Sequence, residues 1–212
     1  ALLGEDTYLS VFKAPIVNKT AQSDRAINIL FRRLSCEQSR VALSQLSQDA
    51  EQFQTVLLAA GVCGDPYFIP LIIDAMNTNE LARVACEAFS MITGVDIAYE
   101  NLEGEWPEGF EAGPTENPED EDVVMDPDED LPWPEPELIT QWWQTNRSRF
   151  TAGARYLCGE PISQQQCINV LKQGFQRQRA AAALELAMMQ KETPLFEVRA
   201  PGRRQKQALQ LK

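Results

Sequence analysis

The chain has 212 residues, 44% apolar and 8% aromatic, with 19 basic and 31 acidic side chains; that length suits one or two domains with a real core. It contains no histidine, which excludes Ser-His-Asp and Cys-His nucleophiles, imidazole zinc sites and the usual near-neutral general base. The net charge of −12 argues against a non-specific nucleic-acid binder, which needs a basic face; no apolar run approaches the roughly 18 residues of a membrane-spanning helix.

Five cysteines, at 36, 63, 86, 158 and 167, form an odd set without CxxC spacing, which points to a reducing compartment. Cys63 and Cys86 fall inside apolar helical patterns and read as small core residues. Cys158 and Cys167 stand close enough in sequence for a disulfide only if the compartment were oxidising. The opening Ala1-Leu2-Leu3-Gly4 carries neither an initiator methionine nor a signal peptide, so the chain reads as a portion of something longer.

Charge divides the chain into three. Residues 1–99 carry eleven acidic and seven basic side chains. Residues 100–137 hold sixteen acidic residues, no basic one and seven of the thirteen prolines. Residues 138–212 have four acidic and twelve basic side chains. The organisation expected is therefore a near-neutral first part, an acidic insert and a basic last part.

The first part reads as a succession of short amphipathic helices. One starts near Ser23, ahead of Ala26, Ile27, Leu30 and Leu34. Ser35 with Gln38, and again Asp49 with Gln52, have capping-box spacing. Phe53, Val56, Leu57, Ala60 and Gly61 share one helical face. Gly64-Asp65-Pro66 should stop that helix and open another, with Asp65 as cap and Pro66 in the first turn. Pro70 should kink the new helix or shorten its regular part. A third helix is expected from Asn77, carrying Leu81, Val84, Ala85, Ala88, Phe89 and Ile92 to a stop at Gly94.

The insert is too rich in acid and proline for a core of its own. It nevertheless carries Trp106, Phe110, Val123, Val124, Met125, Leu131 and Trp133. A loop pinned across the helices by those side chains fits better than a free tail, with the basic last part as its internal partner. Asp126, Asp128, Asp130 and Glu137 have the spacing of a calcium loop, but Leu131 stands where such a loop needs glycine and Pro132, Pro134 and Pro136 stiffen it. Coincidence within an acid-rich segment is the better account.

In the last part, Leu138, Ile139, Trp142, Trp143 and Phe150 make an apolar stripe at helical spacing. Ser163 with Gln166 opens a further helix that Gly174 interrupts. The Ala/Leu/Met run from Ala180 to Met189 reads as a closely packed, buried helix. A basic turn, Arg199 to Arg204, precedes one more helix.

Gly61-Val62-Cys63-Gly64-Asp65-Pro66 with Ile69-Pro70-Leu71-Ile72, followed by Glu80-Leu81-Ala82-Arg83-Val84-Ala85, resembles HEAT-like repeats, and Leu2 to Asp6 is a weaker echo of the same pattern. Asp120 to Pro134, Arg177 to Ala187 and Leu195 to Pro201, after Ile92-Thr93-Gly94-Val95-Asp96, resemble a bacterial family of HEAT-repeat proteins often encoded near type VI secretion genes. The resemblance implies an all-α protein: HEAT-like α-solenoid repeats with a long acidic, proline-rich irregular insert and a C-terminal helical segment. The alternative for the same helices is an ordinary irregular bundle. Because one repeat cannot bury its own apolar face, such units stack.

The family has no established activity to carry over. What it implies is a cytoplasmic, non-catalytic scaffold without cofactor or metal, binding another protein, whether a secretion component, an effector or a toxin. Neither nucleic acid nor membrane is expected as partner. The candidate partner-binding residues are the acids Asp126, Asp128, Glu129 and Asp130 and the tail arginines Arg199, Arg203 and Arg204. A refinement of that reading has the insert itself mimic nucleic acid and block a basic toxin surface. The competing reading is a HEAT-like base-excision glycosylase using Trp142, Trp143, Arg147 and Arg149, which the adjacent acidic insert would oppose by repelling phosphates.

Overall fold

The computed structural model describes residues 13–18, 20–110, 113, 125–190 and 194–210, and these are mostly helical, as the all-α reading expects. The echo at Leu2 to Asp6 and the anchors Val123 and Val124 lie outside the described residues. Local signals explain most helix ends. After α1 (Lys13–Val17) and α2 (Ser23–Arg33), helix α3 (Cys36–Leu46) opens on a reciprocal cap. The Ser35 hydroxyl accepts from the Gln38 amide at 3.1 Å while the Ser35 amide donates to Gln38 Oε1 at 2.9 Å.

The repeat of that spacing at Asp49 behaves differently. Asp49 accepts from the Glu51 amide, whereas the Gln52 side chain donates to the Val17 carbonyl at 3.0 Å and so ties this turn to α1. Helix α4 (Phe53–Cys63) ends at Gly64, whose φ of +75° closes the helix in the left-handed region. A Cβ there would collide with the Tyr156 carbonyl oxygen, so the position requires glycine for space as well as for conformation.

Asp65 follows as cap, and it does more than cap. It is 0% exposed; Oδ1 accepts from the amides of Tyr67 (3.1 Å) and Gly153 (2.9 Å), and Oδ2 faces the Arg40 guanidinium at 2.7–2.9 Å. One carboxylate thereby joins α3, the 3-10 turn Pro66–Phe68 and the chain near 153. Asp65→Asn replaces one acceptor oxygen with a donor facing Arg40, and a loss of about 1.5–3 kcal/mol is expected for the charged hydrogen bonds. Urea unfolding followed by circular dichroism measures it, and an unchanged midpoint would refute the role.

Pro66 begins a single 3-10 turn, and Pro70 sits in the first turn of α5 (Ile69–Ala75), shortening the regular helix rather than kinking it. Asn77 is not the cap of the next helix. Its side chain donates to the Asp74 carbonyl and closes α5 instead, so α6 (Asn79–Thr93) begins two residues later and stops at Gly94 as expected.

Helices α2, α4 and α6 pack side by side in chain order, and α5 rests on α6 and on α7 (Pro136–Asn146). The α4–α6 crossing is close because a Cβ on Gly61 would come within 3.0 Å of Ala88 Cα. Ile139 is fully buried, and Trp142 and Trp143 pack edge-on against Phe89 at centroid distances of 5.6 and 6.4 Å. Ile139, Trp142, Trp143 and Phe150 of the stripe therefore belong to the main core, built on α2, α4, α5 and α6, whereas Leu138 is exposed. Leu157, Cys167, Val170, Leu171 and Ala181–Ala183 form a smaller cluster around α8 (Gln164–Gln173) and α9 (Gln176–Met189), which pack on each other. Helix α10 (Gly202–Ala208) is held to α9 by a hydrogen bond from Arg179 to Gln205. It begins before Arg203 and Arg204, so these arginines are helical rather than in the basic turn. All five cysteines are free thiols, Cys158 and Cys167 included. Among the described residues no helix is long and apolar enough to cross a membrane.

A two-residue hairpin, β1 (Tyr156–Leu157) with β2 (Glu160–Pro161), was not anticipated; Cys158 and Gly159 make its turn with positive φ. It docks on helix ends, where the last carbonyls of a helix lack partners of their own. The Tyr156 amide donates to the Gly64 carbonyl, and those of Cys158 and Gly159 donate to Met91 and Ile92. Just before it, Arg155 donates to the carbonyls of Cys63 (2.9 Å) and Arg32 (3.0 Å), closing α4 and α2. Its Nη2 pairs with Glu185 of α9 at 2.5 Å, and the same carboxylate, 3% exposed, lies 3.4 Å from Arg32 Nε. Burial pulls the Arg32 guanidinium down to about 10, with Glu185 opposing and Arg155 reinforcing that shift.

Candidate interaction site: a clamped acidic strap and its cleft

The described ends of the insert are zipped together. The Gly104 amide donates to the Trp133 carbonyl and the Glu135 amide to the Leu102 carbonyl, an isolated antiparallel bridge. Above it, Trp106, Phe110 and Trp133 pack edge-on with centroids 5.0–5.9 Å apart, and the Trp106 indole N–H donates to the Phe110 carbonyl. Leu131 and Trp133 are buried, as a pinned loop requires, whereas Met125 is exposed.

The centre of this cluster is Arg83 of α6, only 6% exposed. Its guanidinium lies 5.1 Å from the Trp133 centroid, 5.6 Å from Trp106 and 5.8 Å from Phe110. It meets Asp126 at 2.5 Å and donates to the Asp128 carbonyl at 2.8 Å. A second clamp comes from α9. Arg177 donates to Asp130 at 2.7 Å and to the Pro127 carbonyl at 2.8 Å, and reaches Asp128 at 3.5 Å. The expected basic partner is thus present in Arg177, but the more buried clamp comes from the first part of the chain.

The four acidic candidates now separate by environment. Asp126 is mostly buried; burial raises its carboxyl, but the Asp128 amide and Arg83 outweigh that and hold it below the ordinary range. Burial raises Asp128, with Arg177 opposing and Asp126 adding. Glu129 is exposed, and the Asp130 side chain is 74% exposed although paired. The three aspartates of the calcium-loop spacing face arginines, and Glu137 stands in the first turn of α7. Arg199, Arg203 and Arg204 are exposed, and none of them lines the cleft described next. The tail arginines and the strap acids are therefore not assembled into one site.

Beside the strap is a cleft of about 480 Å³. Its walls come from α6 (Glu87, Ser90), the turn after it (Val95, Asp96, Ile97, Glu103), the strap (Glu129, Asp130, Leu131) and the start of α9 (Phe175, Arg177). Among the described residues five carboxylates line it against one guanidinium. Burial holds the Glu87 carboxyl above its ordinary range, Arg177 offsetting part of the shift and Asp130 and Asp128 adding to it. The sequence reading passed over Arg83, Glu87 and Ser90 as a group. Their signal is a polar row at spacings of four and three on a helix otherwise rich in apolar residues. Trp142 and Trp143, invoked for a glycosylase, pack against Phe89.

Fold and site together define a predominantly helical protein bearing a clamped acidic strap. Compared with known protein families, curated proteins and solved structures, the chain matches none.

Proposed function

We propose that this chain is a non-catalytic scaffold of stacked, HEAT-like helix pairs that binds another protein through its acidic strap. The setting implied by the sequence resemblance is bacterial type VI secretion, with a role as adaptor, chaperone or immunity-like binder. The observation that carries the reading is the double clamp: Arg83 and Arg177 hold the strap so that Glu129 and Asp130 stand at the rim of a cleft lined by further carboxylates. A fixed, charged, partly apolar surface of that kind selects partners by charge and shape and speeds their encounter. The side-by-side order of α2, α4 and α6 supports the solenoid form of the proposal.

The test is affinity capture from the native host, with Glu129→Lys/Asp130→Lys as the control bait. A stoichiometric protein partner retained at least tenfold less by the variant, whose circular dichroism should be unchanged, is the expected result. Equal retention by both baits moves the binding face elsewhere, and recovery of nucleic acid alone overturns the scaffold reading.

A further inference from the structure

The cleft holds a polar surface that the described residues leave unused. Glu87 projects from α6 one turn beyond Arg83, and Arg83 is already committed to Asp126 and the Asp128 carbonyl. Among the described residues the Glu87 carboxylate makes no ion pair or hydrogen bond, although the residue is partly buried and lines the cleft. Ser90, one further turn along the same face, is only 8% exposed, and its hydroxyl has no hydrogen-bond partner among those residues. Neither group is sealed off: their oxygens open on the cleft, where an incoming ligand with donors can satisfy both at once. The one cation among the described wall residues, Arg177, is already engaged by Asp130, Asp128 and the Pro127 carbonyl.

The remaining lining states what kind of donor fits. Glu103, Asp96 and Glu129 add negative charge around Glu87. Val95, Ile97, Leu131 and the Phe175 ring supply apolar wall, and Phe175 is itself exposed at the rim. A cation on an aliphatic stem matches both halves of that surface: its head satisfies carboxylate and hydroxyl, and its stem lies on the apolar wall. A guanidinium suits it better than an ammonium, because its planar fork donates to a carboxylate and a neighbouring oxygen at once and stacks on an aromatic ring.

We propose that the cleft receives an arginine side chain presented by a partner protein, with the partly buried Glu87 as its counter-ion and Ser90 as a second acceptor. This deepens the scaffold reading and rests on it. Burial keeps the Glu87 carboxyl above its ordinary range with Arg177 offsetting only part of that shift, and an incoming guanidinium would add to the compensation.

The test uses the whole chain and fluorescently labelled seven-residue peptides, Gly-Ser-Gly-Arg-Gly-Ser-Gly and the same peptide with citrulline, which keeps the shape and removes the charge. Fluorescence anisotropy should give saturable binding of the arginine peptide, weaker by at least tenfold for citrulline and for the Glu87→Gln protein. Glu160→Gln, on the hairpin, should leave it unchanged. Glu87→Gln also removes a desolvated charge without changing volume, so its thermal midpoint should equal or exceed that of the parent. Folding failure is then not the cause of lost binding.

Equal binding of the citrulline peptide, or full binding by Glu87→Gln, overturns the proposal. Spermidine that displaces the arginine peptide and binds at least tenfold more tightly than it also overturns the proposal, reassigning the cleft to a free polyamine. A captured partner that depends on Glu129 and Asp130 but is indifferent to Glu87→Gln refutes this pocket while leaving the scaffold standing. Absence of any captured protein refutes the scaffold itself, whatever the peptides do.

Discussion

Glu185→Ala is expected to lower the free energy of unfolding by about 3–5 kcal/mol, because it leaves buried guanidinium charge without its counter-ion. Arg32 keeps hydrogen bonds to the Asn28 carbonyl and side chain, at 2.8 and 2.7 Å, but among the described residues its only carboxylate partner is Glu185. Arg155 keeps the carbonyls of Cys63 and Arg32 and loses the same carboxylate. Since a domain is stable by only about 5–15 kcal/mol in total, the variant should sit near its unfolding threshold at 37 °C. Urea titration followed by circular dichroism measures the change; the midpoint should fall while the slope stays constant. Glu185→Gln preserves the shape and one acceptor, so the gap between the two variants isolates the charge. A loss below about 1 kcal/mol for Glu185→Ala, within the range of a single neutral hydrogen bond, would mean that the carbonyls held by Arg155 carry the junction alone.

Arg83→Ala should cost about 3 kcal/mol locally, by stranding the mostly buried Asp126 carboxylate, and should release the strap rather than unfold the helices. Trp106 and Trp133 lie around that guanidinium, so tryptophan emission should shift to longer wavelength while far-ultraviolet circular dichroism holds. Amide exchange at Gly104 and Glu135, whose bonds close the base of the strap, should accelerate. Arg177→Ala is the informative comparison. Its pair with Asp130 is largely solvated, so its loss should cost only about 0–1 kcal/mol and leave the emission where it was. If the two variants behave alike, the aromatic cluster and not Arg83 holds the strap.

Acid should act on the same clamp with a defined sign. The folded-state carboxyl of Asp126 lies below its ordinary value, so its contribution is complete above the unfolded value of about 4 and disappears as pH falls through the lower, folded value. Glu87 and Asp128 have the opposite sign: their carboxyls are raised, so protonating them on the way down relieves a cost. The strap should therefore stay docked through mildly acidic conditions and open only below the ordinary carboxylate range.

The readings that succeeded rest on contacts within a few residues. Ser35 reaches Gln38, Asp65 reaches Tyr67, and Gly64 and Gly94 adopt the left-handed conformation that ends each helix. Where two local partners compete, spacing alone misleads. Asn77 turned back to Asp74 instead of forward, and Gln52 left its cap for Val17 on another helix. The hairpin at 156–161 escaped because its turn is Cys158-Gly159, without the asparagine or aspartate that usually precedes glycine there, and its strands are two residues each.

The candidate site shows the same division. That the insert would be anchored by its aromatic residues was legible from their presence in a segment otherwise too acidic to fold. Which acids remain available was not. Asp126 and Glu129 are equivalent in composition, yet one is held by Arg83 and the other faces solvent. Sequence by itself determined the helical class, most helix boundaries and the existence of an anchored acidic segment, because capping and periodicity act over one or two turns. Tertiary structure alone decided that Arg83 meets the Asp128 carbonyl 45 residues away, that Arg177 meets Asp128 across 49, and that Arg155 meets Glu185 across 30. Charge in a sequence has no direction. Only packing, which removes water from some pairs and leaves it around others, decides which charges are spent inside and which remain for a partner.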